Sequence, residues 1–443
     1  MSTPSAVRWF LGIHLPAPAA RSAEISAGGT QPSRADSQAQ TAGLAGLLAA
    51  AACALTAQRI LLVAVPWLVL TETGSPTATA LVSAVQVTPI LFAKLFAGPL
   101  LDRVGAARIA VAGDLTCAAG MLLLAAAGSP PLWLIVAVMA AVGAAQGPSA
   151  AAKTAVLAEV TSTVPRPTQW GTGLMTTVER CATTLGPALA GLLIAVVGGQ
   201  RPLWLVAALF ASASLFARTY ISSAPAAARH GYWGELADGA RFLFHDRSLT
   251  SLLVMYGVTN WLDEALLVIL LPLWARAGGH SPAVIGAAIS IAGAAAIGTA
   301  LLAAYAGYRL PRRGTYLVAA IISGPTRFAA LAVGLPPAAV LAVFAVSGLG
   351  SGLLSPLADA VQLERIPAEL RGRVFILSRA AAWIGIPAGG ITGAVLNACV
   401  GLSAALWICA AGFLAAAVYP SWRVIWNPPP DEHRRSSRYG CHP

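Results

Sequence analysis

The stretch Gly98-Pro99-Leu100-Leu101-Asp102-Arg103-Val104-Gly105-Ala106-Ala107-Arg108 decides how this chain is read. A mainly apolar run, Thr79 to Ala97, leads into it, and another, Ile109 to Gly128, leaves it. Each flank has the length of a membrane helix, about 20 residues at ~1.5 Å per residue across ~30 Å of hydrocarbon. The stretch is therefore a polar turn between two spans. Gly98 lets the end of the first helix pack closely, and Gly105 allows a tight reversal. Asp102 can meet a neighbouring helix terminus or an arginine, while Arg103 and Arg108 hold the turn on the cytoplasmic side.

The rest of the composition agrees. Of 443 residues, 57% are hydrophobic and only 10% are charged, against about a quarter in a soluble domain. The net charge of +11 raises the question of nucleic acid. The charge is spread over loops between apolar runs, however, with no basic helix and no aromatic RNA-binding pattern, so a nucleic-acid partner is excluded. The six cysteines (Cys53, Cys117, Cys181, Cys399, Cys409, Cys441) show no CxxC or Cys/His spacing. They read as small apolar residues, and no metal or cofactor is expected.

Twelve spans are expected, near residues 43–70, 79–101, 109–128, 132–151, 170–197, 202–220, 249–275, 283–306, 314–334, 337–357, 374–399 and 402–421. The fold class is thus an all-α membrane protein. Residues 1–40 read as a disordered cytoplasmic tail, 41–220 as a six-helix half, 221–248 as a cytoplasmic linker, 249–422 as a second six-helix half and 423–443 as a cytoplasmic tail. Arginine and lysine set the orientation. Loops on the side of the termini carry Arg103, Arg108, Lys153, Arg166, Arg229, Arg241, Arg247, Arg312, Arg313 and Arg365, among others. The opposite loops carry only Arg201 and Arg276, which places both termini in the cytoplasm.

An internal repeat divides the chain. Val65-Pro66-Trp67 in the first span matches Leu271-Pro272-Leu273-Trp274 in the seventh, and Asp102-Arg103 aligns with Tyr308-Arg309. Gly143 to Gly147 in the fourth span answers Gly348 to Gly352 in the tenth, and Pro187 in the fifth matches Pro387 in the eleventh. Two halves related by a parallel repeat are the arrangement of a rocking transporter.

The opening stretch resembles the loop between the second and third helices of the major facilitator superfamily, Gly-x-x-x-Asp-Arg-x-Gly-Arg-Arg, with Ala106 and Ala107 in place of the closing pair. Further residues carry the likeness: Ala64 to Leu70, Thr73 to Pro76, Gly186-Pro187, and Ile366-Pro367 through Arg371-Gly372-Arg373-Val374-Phe375. Within the superfamily they resemble the branch of bacterial drug, macrolide and siderophore exporters that includes the enterobactin exporter. The resemblance covers Gly43 to Trp422 and implies twelve helices in two pseudo-symmetric halves, a bacterial plasma-membrane location and alternating access. It also implies a conformational-switch loop at Gly98, Asp102, Arg103, Gly105 and Arg108, with Arg309, Arg371 and Arg373. The chain departs from the pattern at Ala57-Gln58, where Gly-Asp is usual, and at Tyr308.

Charge inside a membrane is costly, so each instance is a functional candidate. Asp263 and Glu264 sit mid-way along the seventh span and Glu179 mid-way along the fifth; these are the proton-coupling candidates. Burial disfavours a carboxylate's charged form and a nearby arginine favours it, so moving between water-exposed states can load and release a proton. Arg59, Arg180, Lys94 and Arg379 are candidate charge partners in the cavity that the resemblance implies between helices 1, 4, 7 and 10. Trp261, Asn260, Tyr256, Gln86, Gln146 and Trp383 are candidates for the substrate surface; helix packing accounts for each equally well. A structural ion pair between helices is the alternative for the acids, with Arg59 or Arg180 as the partner of the seventh-span pair. Asp114 is expected to pair with the arginines of the opening stretch.

No Gly-x-x-x-x-Gly-Lys pattern occurs, so the energy source is an ion gradient. The expected function is secondary active export of a small amphipathic compound, coupled to protons by resemblance, from a monomer in contact with membrane lipids. An uptake permease on the same scaffold is the alternative. A membrane enzyme or receptor is less favoured: all six histidines lie in tails or loops and no nucleophile–base set is clustered.

Overall fold

The computed structural model describes residues 34–163, 168–198, 200–218, 241–306, 311–366, 374, 377–378 and 381–422. The apolar runs form helices α1 (Arg34–Thr73), α2 (Pro76–Val104), α3 (Ala106–Ala126), α4 (Leu132–Thr163), α5 (Thr168–Val197) and α6 (Pro202–Ala217). The second half contributes α7 (Arg247–Ala277), α8 (Pro282–Ala306), α9 (Arg312–Ala332), α10 (Pro337–Arg365), α11 (Ile386–Val400) and α12 (Leu402–Trp422). Among the described residues nine helices are long and apolar enough to cross a membrane, with Pro202–Ala217 and Ile386–Val400 as shorter apolar helices. The 29 residues of α2 make ~43 Å of helix at ~1.5 Å per residue, also enough to cross. Large apolar side chains on the outside, such as Trp133, Leu185, Val196, Leu301 and Leu302, are exposed as a lipid-facing surface requires.

Local chemistry sets the boundaries. Ser75 caps α2 by accepting from Ala78 N–H, and Pro76 opens it. Asp246 caps α7 through the N–H groups of Ser248 and Leu249. Gly105, at φ 91°, reverses the chain between α2 and α3 as expected. Helix α1 starts at Arg34, inside the stretch read from sequence as tail, because nothing between Arg34 and Thr41 breaks a helix. The remainder of both tails, residues 219–220 and residues 221–240 of the linker lie outside the described residues.

The packing restates the repeat. In the first half α2 lies on α4, α3 on α4 and α6, and α1 on α5 and α6. In the second, α8 lies on α10, α9 on α10 and α12, and α7 on α11 and α12. Advancing every helix by six positions converts one set into the other. Between the halves α5 packs on α8 and α2 on α11, and the same operation exchanges these two contacts. Gly143 of α4 lies against the Gln86 carbonyl of α2, and Gly348 of α10 lies against the Ala292 carbonyl of α8. No larger residue fits at either glycine without a shift of the facing backbone.

The apolar core shows which end is closed. Its main body draws on both halves, with Ile60, Val69, Val206, Leu266, Leu270 and Phe344 among its buried members. Towards the end that holds the termini it divides into two separate clusters. One comprises Leu44, Leu47, Ile109 and Val156 of the first half; the other comprises Leu249, Leu253 and Ile366 of the second. At the opposite, distal end the halves meet closely: Gly286 of α8 lies against the Pro187 carbonyl of α5, and Gly390 of α11 faces Ala80 of α2. Among the described residues the two halves are therefore joined distally and have separate apolar clusters beside the termini.

Candidate functional site

Helix α7 places Asp263 and Glu264 half-way along an apolar helix. Successive residues project ~100° apart, so the two carboxylates meet different surroundings. Asp263 Oδ1 accepts a hydrogen bond from Arg327 Nη2 at 2.7 Å, with side-chain exposures of 31% and 13%. Arg327 is delivered by a break in α9. The helix stops at Ser323, Gly324 takes φ −125° and ψ −58°, and Pro325 restarts it. Ser347 of α10 donates its hydroxyl to the Ser323 carbonyl that the break leaves free, and the Phe413 ring occupies the space of a Cβ on Gly324. The guanidinium of Arg327 also lies 5.9 Å from the centroid of Phe344.

Glu264 has no such partner among the described residues; the charge that acts on it is Asp263. It is half-buried where α11 crosses α7 at Gly389, and a Cβ added there would stand 2.7 Å from the Glu264 Cβ. Directly after the acids α7 widens into a π-helical segment, Leu266–Leu270, in which the Leu271 N–H bonds the Leu266 carbonyl. Such a widening recurs at functional positions in helices.

The polar residues expected to line a substrate surface are placed unequally. Trp261 Nε1 donates to Thr392 Oγ1 at 3.0 Å, Asn260 Nδ2 donates to the Ala382 carbonyl at 3.2 Å, and Tyr256 OH donates to Asp359 at 3.5 Å. These bonds tie α7 to α10, to α11 and to the segment just before α11 within the second half. Gln146 is 4% exposed and its Nε2 has no hydrogen-bond partner among the described residues. Gln86 is half-buried, and Trp383 is exposed in the turn that precedes α11.

In the first half, the Cβ of Arg59 fits beneath Gly186 of α5, and its Nε is buried without a hydrogen-bond partner among the described residues. The charges acting on Arg59 are Glu179 and Arg180, both exposed on α5. Of the alternative reading, an ion pair of the α7 acids with Arg59 or Arg180, the pair itself is present at Asp263 but with another partner: Arg327 holds Asp263, because the break in α9 turns that arginine towards α7. Asp114 is also partnered differently than expected. Lys153 Nζ donates to Asp114 Oδ1 at 2.7 Å and to Ser149 Oγ at 3.1 Å, and Ser149 Oγ donates to Asp114 Oδ1 at 2.9 Å. Asp114 is 2% exposed and faces α4, one side of α3 away from Arg103 and Arg108, which are exposed.

The Major Facilitator Superfamily model matches residues 47–260 and 253–439. The chain belongs to the major facilitator superfamily. Among curated members, the multidrug efflux pump Tap of Mycobacterium tuberculosis (strain H37Rv) is 31% identical over 373 residues, covering 81% of this chain and 88% of that protein. Tap of Mycolicibacterium fortuitum is 28% identical over 378 residues, covering 81% and 90%. Among solved structures, the nucleoside transporter NupG superposes with a TM-score of 0.70 over 87% of this chain and 99% of that one. A bacterial homologue of the lysosomal transporter Spinster, in an inward-facing state, gives 0.67 over 88% and 95%. Their identities of 13% and 11% make these likenesses of fold alone.

As a member of this superfamily the chain carries its loop between α2 and α3, where the backbone turns at Gly105 and the Gly105 N–H bonds the Leu101 carbonyl at 2.9 Å. The side chains of Lys94 and Asp102, and Gly98, lie outside what the structure describes, as do Arg309, Arg371, Arg373 and Arg379. Sequence reasoning left Arg327 without a role. The signal that could have found it is Gly324-Pro325 in mid-span, which breaks a membrane helix where a charge follows three residues after the glycine.

Proposed function

We propose that this chain is a proton-coupled exporter of small amphipathic, drug-like compounds, working as a monomer by alternating access in a bacterial plasma membrane with both termini in the cytoplasm. Its superfamily and the Tap efflux pumps similar to it support transport and the outward direction. The arginine bias supports the orientation. With the termini inside, the contacts that join the halves distally lie on the outward side.

The observation that carries the coupling is the division of labour on α7. Asp263 is neutralised by Arg327, whereas Glu264 is an acid in the middle of an apolar helix with no basic partner among the described residues. An unpaired carboxylate in such surroundings is costly when charged and acceptable when protonated. Exposure to the outer medium loads it, and exposure to the cytoplasm releases the proton. The substrate crosses in the opposite sense, bound beside the aromatic and amide groups near the same depth of α7.

The test is flux in proteoliposomes of purified protein with a fluorescent cationic dye as substrate. An imposed pH gradient should drive the dye towards the acidic compartment, and inverting the gradient should invert the flux. Dye moving only down its own gradient, indifferent to pH, would exclude proton-coupled export. Dye moving with the protons would instead establish the uptake permease.

A further inference from the structure

At the distal end the two halves share a polar contact that stands apart from the apolar and glycine packing around it. Arg276, near the end of α7, donates from Nη1 to the carbonyl of Leu70, in the last turn of α1, at 2.6 Å. The Leu70 carbonyl also accepts the Gly74 N–H at 3.0 Å, so Arg276 adds a charged donor to a helix C-terminus. That terminus carries partial negative charge, which a guanidinium complements. Gly74, at φ 65°, ends α1 beneath the arginine, and the place of its absent Cβ lies 3.9 Å from Nη2.

The arginine is held on a built platform. The Gly279 N–H bonds the Arg276 carbonyl at 3.1 Å, and the His280 N–H bonds the Ala275 carbonyl at 2.8 Å. The His280 ring rests on Trp274 with centroids 4.8 Å apart. Position matters as much as geometry. Leu70 and Arg276 are 206 residues apart, the same offset that relates Pro66 to Pro272. Repeat-equivalent positions meet only at the pseudo-two-fold axis, which is the axis of the transport path. The contact therefore lies over the distal mouth, and the repeat has a charged donor on one side of it and leucine on the other. Glu264 lies twelve residues earlier on the same helix, about 18 Å away at ~1.5 Å per residue, with the π-helical segment between them.

We propose that Arg276 is the gate residue of the distal mouth: its bond to the Leu70 carbonyl holds the outward side shut in this state and breaks before the halves can part. The inference rests on the alternating-access reading above. Because the bond exists in one state only, it biases the ratio of the two, and losing a charge-assisted hydrogen bond at an exposed site should shift that ratio roughly three- to tenfold.

Double electron–electron resonance tests this on full-length protein without reactive cysteines. One spin-label pair, at Ser129 and Ala338, spans the distal face; a second, at Arg108 and Arg313, spans the face of the termini. Arg276→Gln should lengthen the first distance and shorten the second, and Arg276→Lys, which keeps a charged donor, should give an intermediate shift. General destabilisation broadens both distributions without opposite displacements. Unchanged distributions in Arg276→Gln, beside a wild type that switches with pH, would overturn the gate. A wild type with one fixed distribution at every pH would overturn alternating access itself, and the gate with it.

Discussion

At Asp263 and Glu264, a rotation of about 100° around α7 separates a carboxylate that faces a guanidinium from one that faces a glycine. The two should respond differently to neutralisation. Asp263→Asn leaves Arg327 without its anion, and Arg327→Gln leaves Asp263 without its cation. Each should cost about 2 kcal/mol, below the ~3–5 kcal/mol of a fully buried pair, because the Asp263 side chain keeps 31% of its exposure. Thermal unfolding followed by tryptophan fluorescence should show both single losses and partial recovery in the double variant. Glu264→Gln should leave the unfolding temperature near wild type. The Asp114–Lys153–Ser149 cluster supplies a contrast, since both ends of its ion pair are at most 8% exposed. Lys153→Met should lower stability by ~3–5 kcal/mol, visible as reduced folded yield, without altering which compounds the surviving protein moves.

At the scale of the helix, the features that shape the site are interruptions, and they differ in how far the sequence announces them. The polar turn at Gly105 is legible because a glycine between two apolar runs has few other uses, and the structure gives it φ 91°. Gly105→Ala should therefore cost ~1–3 kcal/mol through backbone strain alone, since φ 91° with ψ 135° suits glycine and nothing lies within 4 Å of the added methyl. An unfolding temperature for Gly105→Ala below that of wild type would support this, and an unchanged one would contradict it. Gly389 is different. A methyl there meets the Trp261 carbonyl and the Glu264 Cβ, so Gly389→Ala should push α11 off α7 and impair transport more than Gly105→Ala does, as dye flux would show. The π-helical segment at Leu266–Leu270 has no sequence mark, because Leu-Leu-Val-Ile-Leu suits an α-turn equally well and the widening comes from packing. The Asp263–Arg327 pair escaped for a related reason: the partners are 64 residues apart, and only the break at Gly324-Pro325 turns them together.

For the whole molecule, hydropathy was enough to read twelve helices, and the repeat was enough to read two halves, because both follow from one-dimensional constraints that a bilayer imposes. The pairing of the helices by an advance of six gives the repeat its three-dimensional form. What a sequence does not encode is the state. One core shared between the halves, dividing into separate clusters beside the termini, belongs to a conformation, and the opposite conformation has the same sequence. Exchange between the two, in the function proposed above, is coupled to a proton on Glu264. The most direct test is dye transport in proteoliposomes by wild type and Glu264→Gln, in two modes: accumulation against the dye gradient under an imposed pH gradient, and exchange of dye at equal pH. Glu264→Gln should lose accumulation and keep exchange. Accumulation by Glu264→Gln at the wild-type rate would contradict it.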